Sequence, residues 1–521
     1  MPPPSTPLPP AFNFAAHVLH LNASRGGKTA YIDDTGTLSY ADLAQRVRNT
    51  AGGLRARGLR PEERVLLCLH DTVDFPVAFL GALHAGIVPV PVNTLLPADD
   101  IAYMLAHCRA RAVIVSQALL PLIERAMAAG PHEVETVWVS APGTTVPAGH
   151  DDFAACIAHA PLAQHAATGA DDMAFWLYSS GSTGRPKGTV HTHGNLYRTA
   201  ELYGTPVLGV REDDVMFSAA KLFFAYGLGN ALTFPLTAGA TTILMAERPT
   251  AAAVSKRLRE HRPTLFCGVP TLYAALLASS ELPTRDAVAL RRCISAGEAL
   301  PREVGERVAA HFGCDVLDGI GSTEMLHIFL SNRAGAVRYG TTGMPVPGYE
   351  VELRGEDGRA VADGEIGDLW TCGPSAALMY WGNRVLSLAT FQGPWTKTGD
   401  KYIREADGYY VYAGRGDDMM KVSGQYVSPF EVETTLMRHD AVLEAAVVGR
   451  PDSDGLTRTV AFVVTKPGVT ADNTLAEALQ AFAKQQLAPH KYPRDVRFIA
   501  ELPKTATGKI QRFRLRDGSV G

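Results

Sequence analysis

The sequence predicts an α/β protein with a large, multi-lobed N-terminal domain built on mainly parallel sheets, and a small α+β C-terminal domain. Short β-branched runs at 65–69, 112–116 and 241–245 alternate with longer Ala/Leu-rich stretches, a pattern typical of parallel sheets crossed by helices. The 521 residues are about three typical domains' worth of chain, enough to bury a large core. A Gly-rich, charged segment at 414–424 interrupts the alternation and predicts a domain boundary.

The composition excludes several classes of protein. The chain has 49 Lys and Arg against 53 Asp and Glu, a net charge of −4, so it has no general attraction for phosphate backbones or anionic lipid. Hydrophobic residues at 46% and charged residues at 20% are close to globular averages. The seven cysteines are scattered and form no CxxC pair, which predicts neither a disulfide framework nor a zinc site. We expect a globular protein that binds neither nucleic acid nor a membrane.

The N-terminal elements follow in chain order. Residues 1–10 are rich in proline and lack the regions of a secretion signal, so they predict a flexible tail on a cytoplasmic protein. The apolar stretch 75–92 contains prolines and His84, and predicts a buried helix followed by a buried strand rather than a membrane span. Residues 173–178 predict a strand that ends at a loop of Gly, Ser and Thr.

The C-terminal part begins at a predicted hinge. We place the N-terminal domain at 1–413, the hinge at 414–417 and the C-terminal domain at 418–521. The C-terminal segment is long enough to fold as its own small domain.

The first helix of the C-terminal domain has a clear start signal. Ser428 stands at the N-cap, Pro429 at the first helical position and Glu431 three residues past the cap. Further along, the alternation of apolar residues predicts strands over 441–449 and 458–464 and a helix over 475–487. These elements make up a compact α+β unit.

The run SSGSTGRPKGTVHTH, residues 179–193, predicts a phosphate-binding loop after a strand. Glycines let backbone N–H groups approach phosphate oxygens, hydroxyls add donors, and Lys187 adds a positive charge. An ordinary Gly-rich surface turn is the alternative. Gly188 follows Lys187 where a Walker A motif needs Ser or Thr, so a kinase-type loop is excluded. The phosphate-binding candidates are Ser179, Ser180, Gly181, Ser182, Thr183, Gly184 and Lys187.

This loop resembles the signature of the ANL adenylate-forming superfamily of acyl-CoA synthetases, adenylation domains and luciferases. The other motifs of that superfamily occur in order as KLFFAYGLGN (221–230), SAGEAL (295–300), DGIGSTEM (318–325), TGD (398–400), GRGDDMMKVSGQ (414–425) and PKTATGKIQR (503–512). The resemblance covers nearly the whole chain after the tail. It implies a two-step reaction: a carboxylate attacks the α-phosphate of ATP to give acyl-AMP and pyrophosphate, and a thiol then displaces AMP.

The resemblance implies roles for individual residues in the first step. Lys509 matches the catalytic lysine that bridges the substrate carboxylate and the α-phosphate, and Thr323 matches an α-phosphate contact. Glu324 matches the glutamate associated with Mg2+, a hard cation that takes carboxylate and phosphate oxygens. Asp400 and Arg415 match the pair that holds the ribose hydroxyls. As isolated residues they would more often be surface charges.

The adenine is implied to lie against the SAGEAL and DGIGSTEM motifs. The superfamily usually has an aromatic residue where this chain has Ile320, so apolar contact replaces ring stacking there. The implied nucleotide-binding residues of these motifs are Ala296, Gly297, Glu298, Asp318, Gly319 and Ile320.

The C-terminal domain is implied to be mobile. Asp417 matches the hinge residue about which this domain swings after adenylation, in a domain alternation. Lys509 would serve adenylation, and another face that carries Lys421 and Gly424 would serve thioester formation. The alternative is that Lys421 is a surface lysine and Gly424 a turn.

Three segments, KLFFAYGLGN, STEMLHIFLSN and RYGTTGMPVPGYE, together resemble the benzoate-CoA ligases. Small residues beside aromatic ones favour a flat slot over a long tunnel. Phe224 replaces the family's usual histidine in the fourth motif, a departure that bears on how the thiol tunnel is gated. The alternative, that the glycines only satisfy backbone geometry and His327 is structural, stays open. The implied pocket residues are Ala225, Tyr226, Gly227, Gly319, Gly321, His327 and Ile328.

The resemblance therefore predicts an AMP-forming aryl-CoA ligase that uses ATP, Mg2+ and coenzyme A. It would convert benzoate, or a close aryl carboxylate, to the CoA thioester, a reaction of aromatic compound catabolism. Two alternatives stay open: a free-standing enzyme that loads an aryl or acyl group onto a carrier-protein thiol, and a non-catalytic nucleotide-binding scaffold. The presence of Lys509, Glu324, Asp400 and Arg415 disfavours the scaffold. A homodimer is expected.

Overall fold

The structure is a computed structural model that describes residues 7–141, 143–179, 185–422, 425–451, 457–504 and 510–517, without the side chains of residues 421, 425 and 426. The chain divides into two compact units. The first comprises Met1–Val351 and Thr371–Thr398, and the second comprises Glu352–Trp370 and Gly399–Gly521. The predicted α/β class, with mainly parallel sheets and a separate small C-terminal domain, is confirmed.

The division into compact units differs from the predicted domain boundary and does not test the predicted hinge. Residues 399–413 group with the C-terminal part of the chain, although we placed them in the N-terminal domain. The hinge concerns a motion, and the boundary between residues 413 and 414 stays a prediction. The predicted flexible tail stays a prediction too: residues 1–6 lie outside the described part, and Leu8 packs against the core of the first unit.

Several strands lie where β-branched or apolar runs predict them. Predicted strands at 65–69, 112–116 and 173–178 correspond to β3, β5 and β8 in the following series. In chain order the strands are β1 Thr29–Asp33, β2 Gly36–Ser39, β3 Arg64–Cys68, β4 Val88–Pro91, β5 Ala110–Ser116, β6 Thr136–Ser140, β7 Asp151–Asp152, β8 Met173–Ser179, β9 Lys187–Thr192, β10 Val215–Ser218, β11 Thr241–Ile243, β12 Leu265–Gly268, β13 Arg292–Ser295, β14 Asp315–Gly321, β15 Ile328–Ser331, β16 Met344–Pro345, β17 Glu350–Arg354, β18 Ile366–Cys372, β19 Met379–Tyr380, β20 Phe391–Gln392, β21 Trp395–Arg404, β22 Tyr410–Arg415, β23 Met420–Val422, β24 Gln425–Val427, β25 Val442–Pro451, β26 Thr457–Thr465 and β27 Asp495–Phe498.

Several helices begin at capping side chains. The hydroxyl of Ser39 accepts the N–H of Asp42, and Thr250 caps its helix by accepting the N–H of Ala253. In chain order the α-helices are α1 Phe14–Leu21, α2 Tyr40–Ala56, α3 Asp74–His84, α4 Ala98–Cys108, α5 Leu120–Ala129, α6 Phe153–Ile157, α7 His193–Thr199, α8 Ala225–Leu228, α9 Phe234–Ala238, α10 Ala251–His261, α11 Pro270–Ala278, α12 Arg302–Phe312, α13 Arg384–Thr390, α14 Pro429–Met437, α15 Asn473–Gln486 and α16 Arg512–Arg516. Segments Ala200–Leu208 and Gly229–Thr233 are π-helical.

The first unit contains three sheets. The largest has nine strands in the order β16-β15-β14-β13-β12-β10-β11-β1-β2, and its pairs from β14 through β1 are parallel. A second, parallel sheet has the order β4-β3-β5-β6-β7. The third is antiparallel, in the order β19-β9-β8. The predicted helix and strand within 75–92 are α3 and β4, both buried.

The second unit carries two further sheets and a hairpin. Strands β17, β18, β21 and β22 belong mainly to it, with β18 between β17 and β21 and with β22 paired to β21. Strands β25, β26 and β27 form a sheet that packs with α14 and α15 around a core that includes Val432, Leu436, Val447 and Leu479. As predicted, the hydroxyl of Ser428 caps α14 by accepting the N–H of Glu431.

Among the described residues, no helix is both long enough and apolar enough to cross a bilayer.

Candidate active site

The carboxyl ends of four parallel strands bring the predicted motifs together in the first unit. Register pairs align Ser218 of β10 with Cys267 of β12, and Ser295 of β13 with both Gly268 of β12 and Asp318 of β14. The three motif segments after β10, β13 and β14 therefore leave the sheet at one edge. Ligands of open α/β sheets bind at this kind of edge.

The predicted phosphate loop joins two strands of the antiparallel sheet. Ser179 at the end of β8 pairs with Lys187 at the start of β9, so the loop closes a hairpin. The hydroxyl oxygen of Ser179 is buried and has no hydrogen-bond partner among the residues described. Ser180, Gly181, Ser182, Thr183 and Gly184 lie outside the described residues, and their phosphate-binding role stays a prediction.

A tyrosine lies between the loop lysine and the predicted metal ligand. The Tyr380 hydroxyl donates to Oε1 of Glu324 at 2.6 Å, and Nζ of Lys187 donates to the same hydroxyl at 3.3 Å. Nζ of Lys187 lies 3.7 Å from Oε1 of Glu324 and 4.6 Å from the centre of the Tyr380 ring. No local sequence pattern marks Tyr380 as a site residue.

The surroundings keep Glu324 ionised. Burial opposes ionisation, but the Lys187 ammonium and the hydrogen bond from Tyr380 together lower the pKa of Glu324. Its side chain is 14% exposed. One ionised carboxylate beside a lysine that is predicted to bind phosphate suits Mg2+, which binds through one or two carboxylates plus phosphate oxygens and water. The residues present therefore fit this ion.

Thr323 is held by a buried histidine on β9. Nε2–H of His191 donates to the Thr323 carbonyl at 2.7 Å, and the Asn195 amide nitrogen lies 3.0 Å from Nδ1. The same amide donates to the carbonyl of Ala376 at 3.1 Å. Burial lowers the pKa of His191 to about 4, so its ring is neutral near pH 7 and can accept from Asn195.

The predicted adenine segments meet at the ends of β13 and β14. Asp318 is buried, and Oδ1 has no hydrogen-bond partner in the described part of the chain. Burial raises the pKa of Asp318 well above its usual range. Ala296 is buried, and Gly297 is exposed with a φ of +94°, a backbone conformation that favours glycine. Their adenine role, like that of Glu298, Gly319 and Ile320, stays a prediction.

His327 lies in a cage of aromatic rings. Its ring centre is 4.5 Å from that of Phe234, 5.4 Å from that of Tyr203 and 5.7 Å from that of Tyr226. Neither ring nitrogen has a hydrogen-bond partner among the described residues. Burial lowers the pKa of His327 to about 3, so the ring is uncharged at physiological pH. A neutral, apolar cluster of this kind suits contact with a small aromatic ring.

The three predicted pocket glycines differ in what surrounds them. A Cβ on Gly227 would lie 2.0 Å from the Lys221 carbonyl oxygen, and one on Gly321 would lie 2.5 Å from that of His327. These two glycines permit close backbone approach, as the alternative interpretation has it. A Cβ on Gly319 would instead meet the Ile328 side chain at 2.9 Å.

The loop that leads into α8, where Ala225 and Tyr226 lie, is anchored by a buried carboxylate. Asp71 accepts the N–H of Leu222, at 3.3 Å to Oδ1 and 3.2 Å to Oδ2. Burial raises the pKa of Asp71 to about 6, although the nearby Lys221 ammonium and this hydrogen bond oppose the shift. The Lys221 ammonium also donates to the carbonyl of Glu247 at 2.7 Å. These contacts fix where the loop begins.

The predicted ribose and hinge residues belong to the second unit. Nη1 of Arg415 lies 3.0 Å from Oδ1 of Asp400, its register partner across β21 and β22. Asp417 lies in the 3₁₀ turn Gly416–Asp418, and its carbonyl accepts from Nη1 of Arg516 at 3.2 Å. Lys509, Gly424 and the side chain of Lys421 lie outside the described residues, so their roles stay predictions.

Two family models match the chain. The first, described as AMP-binding enzyme, covers residues 19–381, and the second, described as AMP-binding enzyme C-terminal domain, covers 431–509. The chain belongs to the AMP-binding enzyme family. The predicted resemblance to the ANL adenylate-forming superfamily is thereby confirmed.

Relatives within the AMP-binding family match over nearly the full length. A benzoate–CoA ligase from Thauera aromatica is 56% identical over 519 residues, 99% of this chain and 97% of that protein. A 4-hydroxybenzoate–CoA/benzoate–CoA ligase from Rhodopseudomonas palustris is 48% identical over 519 residues, 98% of this chain and 95% of that protein. A crystal structure of a benzoate CoA ligase from Burkholderia xenovorans is similar, with a TM-score of 0.91, 63% identity, and coverage of 97% of this chain and 100% of that one.

These relatives confirm the predicted enzyme class, an acid–thiol ligase, and do not favour the carrier-loading or scaffold alternatives.

Several residues of this AMP-binding enzyme's site were missed by the sequence analysis. His191 lies within the predicted phosphate-loop segment 179–193. Its position on a buried strand next to the loop could have marked it as a site residue. Tyr203 and Phe234 contact His327 from segments outside the motifs, and no local pattern marks them.

Proposed function

We propose that this enzyme activates benzoate with ATP and transfers the benzoyl group to coenzyme A, with release of AMP and pyrophosphate. The observation that carries the proposal is the neutral aromatic cage around His327, which lies three residues along the chain from Glu324. A flat, uncharged ring would pack against this cage, and its carboxylate would point toward the predicted phosphate-binding residues. Wall contacts come from Tyr226 and Ile328, with Ala225 at the rim of the pocket.

In the first step, a benzoate oxygen attacks the α-phosphorus, and the bond to the pyrophosphate oxygen breaks. Lys187 binds phosphate oxygens as a point charge, and Thr323 donates to the α-phosphate. Lys509 bridges the substrate carboxylate and the α-phosphate, and Asp400 and Arg415 hold the ribose. Fixed cations and donors of this kind stabilise the charge that spreads over the equatorial oxygens.

Glu324 is the residue that would hold Mg2+. The ion, when bound, neutralises phosphate charge during the transfer. Glu324 contributes an ionised oxygen ligand, kept in that state by Lys187 and Tyr380. The Glu324 carboxylate is thus already ionised before ATP binds.

In the second step, the thiol sulfur of coenzyme A attacks the benzoyl carbonyl carbon, the bond to the AMP oxygen breaks, and the thiol proton is lost to the departing phosphate or to solvent. We propose that the chain from 418 onward swings about the hinge 414–417, with Asp417 as the pivot. Lys421 and Gly424 would then serve thioester formation. We also propose a cytoplasmic location, where ATP and coenzyme A are present, and a homodimer.

The experiment that tests this proposal is product analysis with ATP, Mg2+, coenzyme A and a panel of acids. The panel comprises benzoate, the three hydroxybenzoates, 2-aminobenzoate, acetate and hexanoate. We expect AMP and benzoyl-CoA in equal amounts with benzoate, and much lower rates with the aliphatic acids because they make fewer contacts with the aromatic side chains of the cage.

Reactions without acid and without coenzyme A are the controls. AMP formation with an aliphatic acid as the best substrate would contradict the pocket assignment but keep the chemistry. Benzoate-dependent exchange of pyrophosphate into ATP with no benzoyl-CoA would instead indicate a carrier-protein acceptor.

A further inference from the structure

We propose that Tyr380 is a positioning residue that keeps Lys187 and Glu324, 3.7 Å apart, from closing into a direct hydrogen-bonded ion pair, so that both stay available to the nucleotide. The inference rests on the proposed roles of Lys187 and Glu324 in binding ATP and Mg2+. Tyr380 itself touches neither the reacting atoms nor the substrate in this scheme. It acts through the carboxylate and the ammonium on either side of its hydroxyl.

The fold fixes where the Tyr380 hydroxyl can be. Tyr380 lies on β19 and pairs in register with Thr189 of β9, two residues from Lys187. Its backbone N–H donates to the Ser387 hydroxyl at 3.0 Å, and its ring centre lies 5.3 Å from that of Phe391. The residue is 3% exposed. The backbone, the ring and the hydroxyl are therefore all held, which makes this side chain a rigid spacer.

The Tyr380 hydroxyl is both a hydrogen-bond donor and a hydrogen-bond acceptor. It has one proton, which it donates to Oε1 of Glu324 at 2.6 Å, and it accepts from Nζ of Lys187 at 3.3 Å. The direct distance from Nζ of Lys187 to Oε1 of Glu324 is 3.7 Å. A 2.6 Å hydrogen bond to an ionised carboxylate is of the strong, charge-assisted kind.

In three other lysine–carboxylate pairs of the described chain, the distance from Nζ to the carboxylate oxygen is shorter. Nζ lies 2.8 Å from the carboxylate in Lys491–Glu431, 2.6 Å in Lys504–Glu444 and 2.7 Å in Lys401–Asp368. The pair formed by Lys187 and Glu324 is longer by about 1 Å, and the Tyr380 hydroxyl occupies the hydrogen-bonding position on the carboxylate oxygen that the ammonium would otherwise take.

Loss of the hydroxyl should let this pair close. Lys187 would move onto Glu324, and each group would neutralise the charge that the other presents to the ligands. A lysine that is tied to a carboxylate binds phosphate less well, and a carboxylate that is tied to a lysine binds a cation less well. Because a hydrogen bond to a charged group contributes about 1.5–3 kcal/mol, we expect MgATP affinity to fall about 10-fold to 100-fold in Tyr380→Phe.

The test is a calorimetric titration of the full-length enzyme with a non-hydrolysable ATP analogue, with and without Mg2+. The heat of binding gives the Kd of each variant. In Tyr380→Phe we expect the Kd for the Mg2+ complex to rise about 10-fold to 100-fold, and the Kd for benzoate to stay within about twofold of wild type. An unchanged Kd for the Mg2+ complex would overturn the proposal. So would an equal rise in the Kd for benzoate, since that would indicate a general structural defect.

Tyr40→Phe is the matched control. The Tyr40 hydroxyl is also buried and donates one 2.6 Å hydrogen bond, to the carbonyl of Ala240 away from the site. The two variants should lose similar thermal stability, and only Tyr380→Phe should lose MgATP affinity. Equal losses of MgATP affinity in both would contradict a positioning role.

A double-mutant cycle separates this inference from the proposed function. Glu324→Gln alone should weaken binding of the Mg2+ complex; if it does not, the proposed role of Glu324 fails, whatever Tyr380 does. If Tyr380 acts through Glu324, then Tyr380→Phe should cause little further loss in the Glu324→Gln background. Fully additive losses would refute action through Glu324.

Discussion

Nε2 of His191 lies 2.7 Å from the carbonyl oxygen of Thr323, although the two residues are 132 positions apart in the chain. This bond ties the strand that follows the phosphate loop to the turn that carries Glu324. Because the ring is buried and its pKa is lowered to about 4, the donor and acceptor nitrogens keep their roles across physiological pH. The strand that follows the predicted phosphate loop and the predicted metal ligand are therefore held together by this hydrogen bond.

His191→Ala should raise the KM for ATP about 10-fold, because Thr323 loses its anchor and the turn can shift. His193→Ala is the control, since His193 is also buried with a lowered pKa but accepts from the backbone N–H of Phe14 instead. Both variants should have a lower Tm, and only His191→Ala should change the KM for ATP. An unchanged KM in His191→Ala would contradict the anchoring role.

Asp71→Asn should change how stability depends on pH. The folded state raises the pKa of Asp71 from 3.8 to about 6, so between these values the folded chain binds more protons than the unfolded chain and wild-type stability falls as pH rises. The loss reaches at most about 3 kcal/mol and is complete above pH 6. The Tm of Asp71→Asn relative to wild type should therefore increase from pH 4.5 to pH 6.5 and then level off. A constant Tm difference across this range would contradict the assignment.

Gly229→Ala should impair benzoate use selectively. A Cβ at this position would lie 2.3 Å from Cδ2 of His327, so the ring must shift and the cage must change shape. We expect kcat/KM for benzoate to fall about 10-fold, because overpacking costs about 1–3 kcal/mol, while the KM for ATP stays unchanged. Gly27→Ala, where the added Cβ meets no atom within 4 Å, should be neutral. Equal effects of the two substitutions would contradict the pocket assignment.

Lys509→Ala should separate the two half-reactions. Adenylation should fall by about 10² to 10³, the loss typical of removing one charge-stabilising donor. Thioester formation from supplied benzoyl-AMP should fall much less, which rapid-quench assays of each half-reaction can measure. Lys504→Ala, which removes the ion pair with Glu444, is the control. Equal losses in the two half-reactions would refute the proposed division of labour.

Asp417→Pro should slow turnover without unfolding the chain. Asp417 lies in a 3₁₀ turn, whose φ near −60° suits proline, and its carbonyl still accepts from Arg516 after the substitution. The Tm should therefore stay close to wild type, while turnover falls at least about 10-fold because the pivot is restricted. Asp417→Ala separates loss of the side chain from backbone restriction. Normal turnover in Asp417→Pro would remove the hinge assignment.

Local elements of the fold were predictable because their signals are local. The apolar runs at 65–69 and 112–116 are strands, and Ser428 caps its helix by accepting the N–H of Glu431 at 3.1 Å. The superfamily motifs occur in the expected order, and this resemblance already predicts that they form one site. The carboxyl ends of parallel strands then bring three of them to one sheet edge.

The contacts that shape the site were not predictable, because they join distant segments. Tyr380 and Glu324 are 56 residues apart, and their hydrogen bond depends on how β19 pairs with β9. The cage around His327 draws Tyr203 and Phe234 from segments outside the motifs. Hydrophobic periodicity indicates that such side chains are buried, but not which side chain they face.

The discontinuity of the second unit limits how this enzyme can be recombined with a relative. Glu352–Trp370 belongs with Gly399–Gly521, and the intervening Thr371–Thr398 belongs to the first unit. A single crossover at residue 399 would cut β21, giving β17 and β18 to one parent and β22 with most of β21 to the other. A crossover within Gly416–Asp418 keeps those four strands from one parent. We therefore expect a chimera with its crossover at the predicted hinge to fold, and a chimera with its crossover at residue 399 to fail to fold.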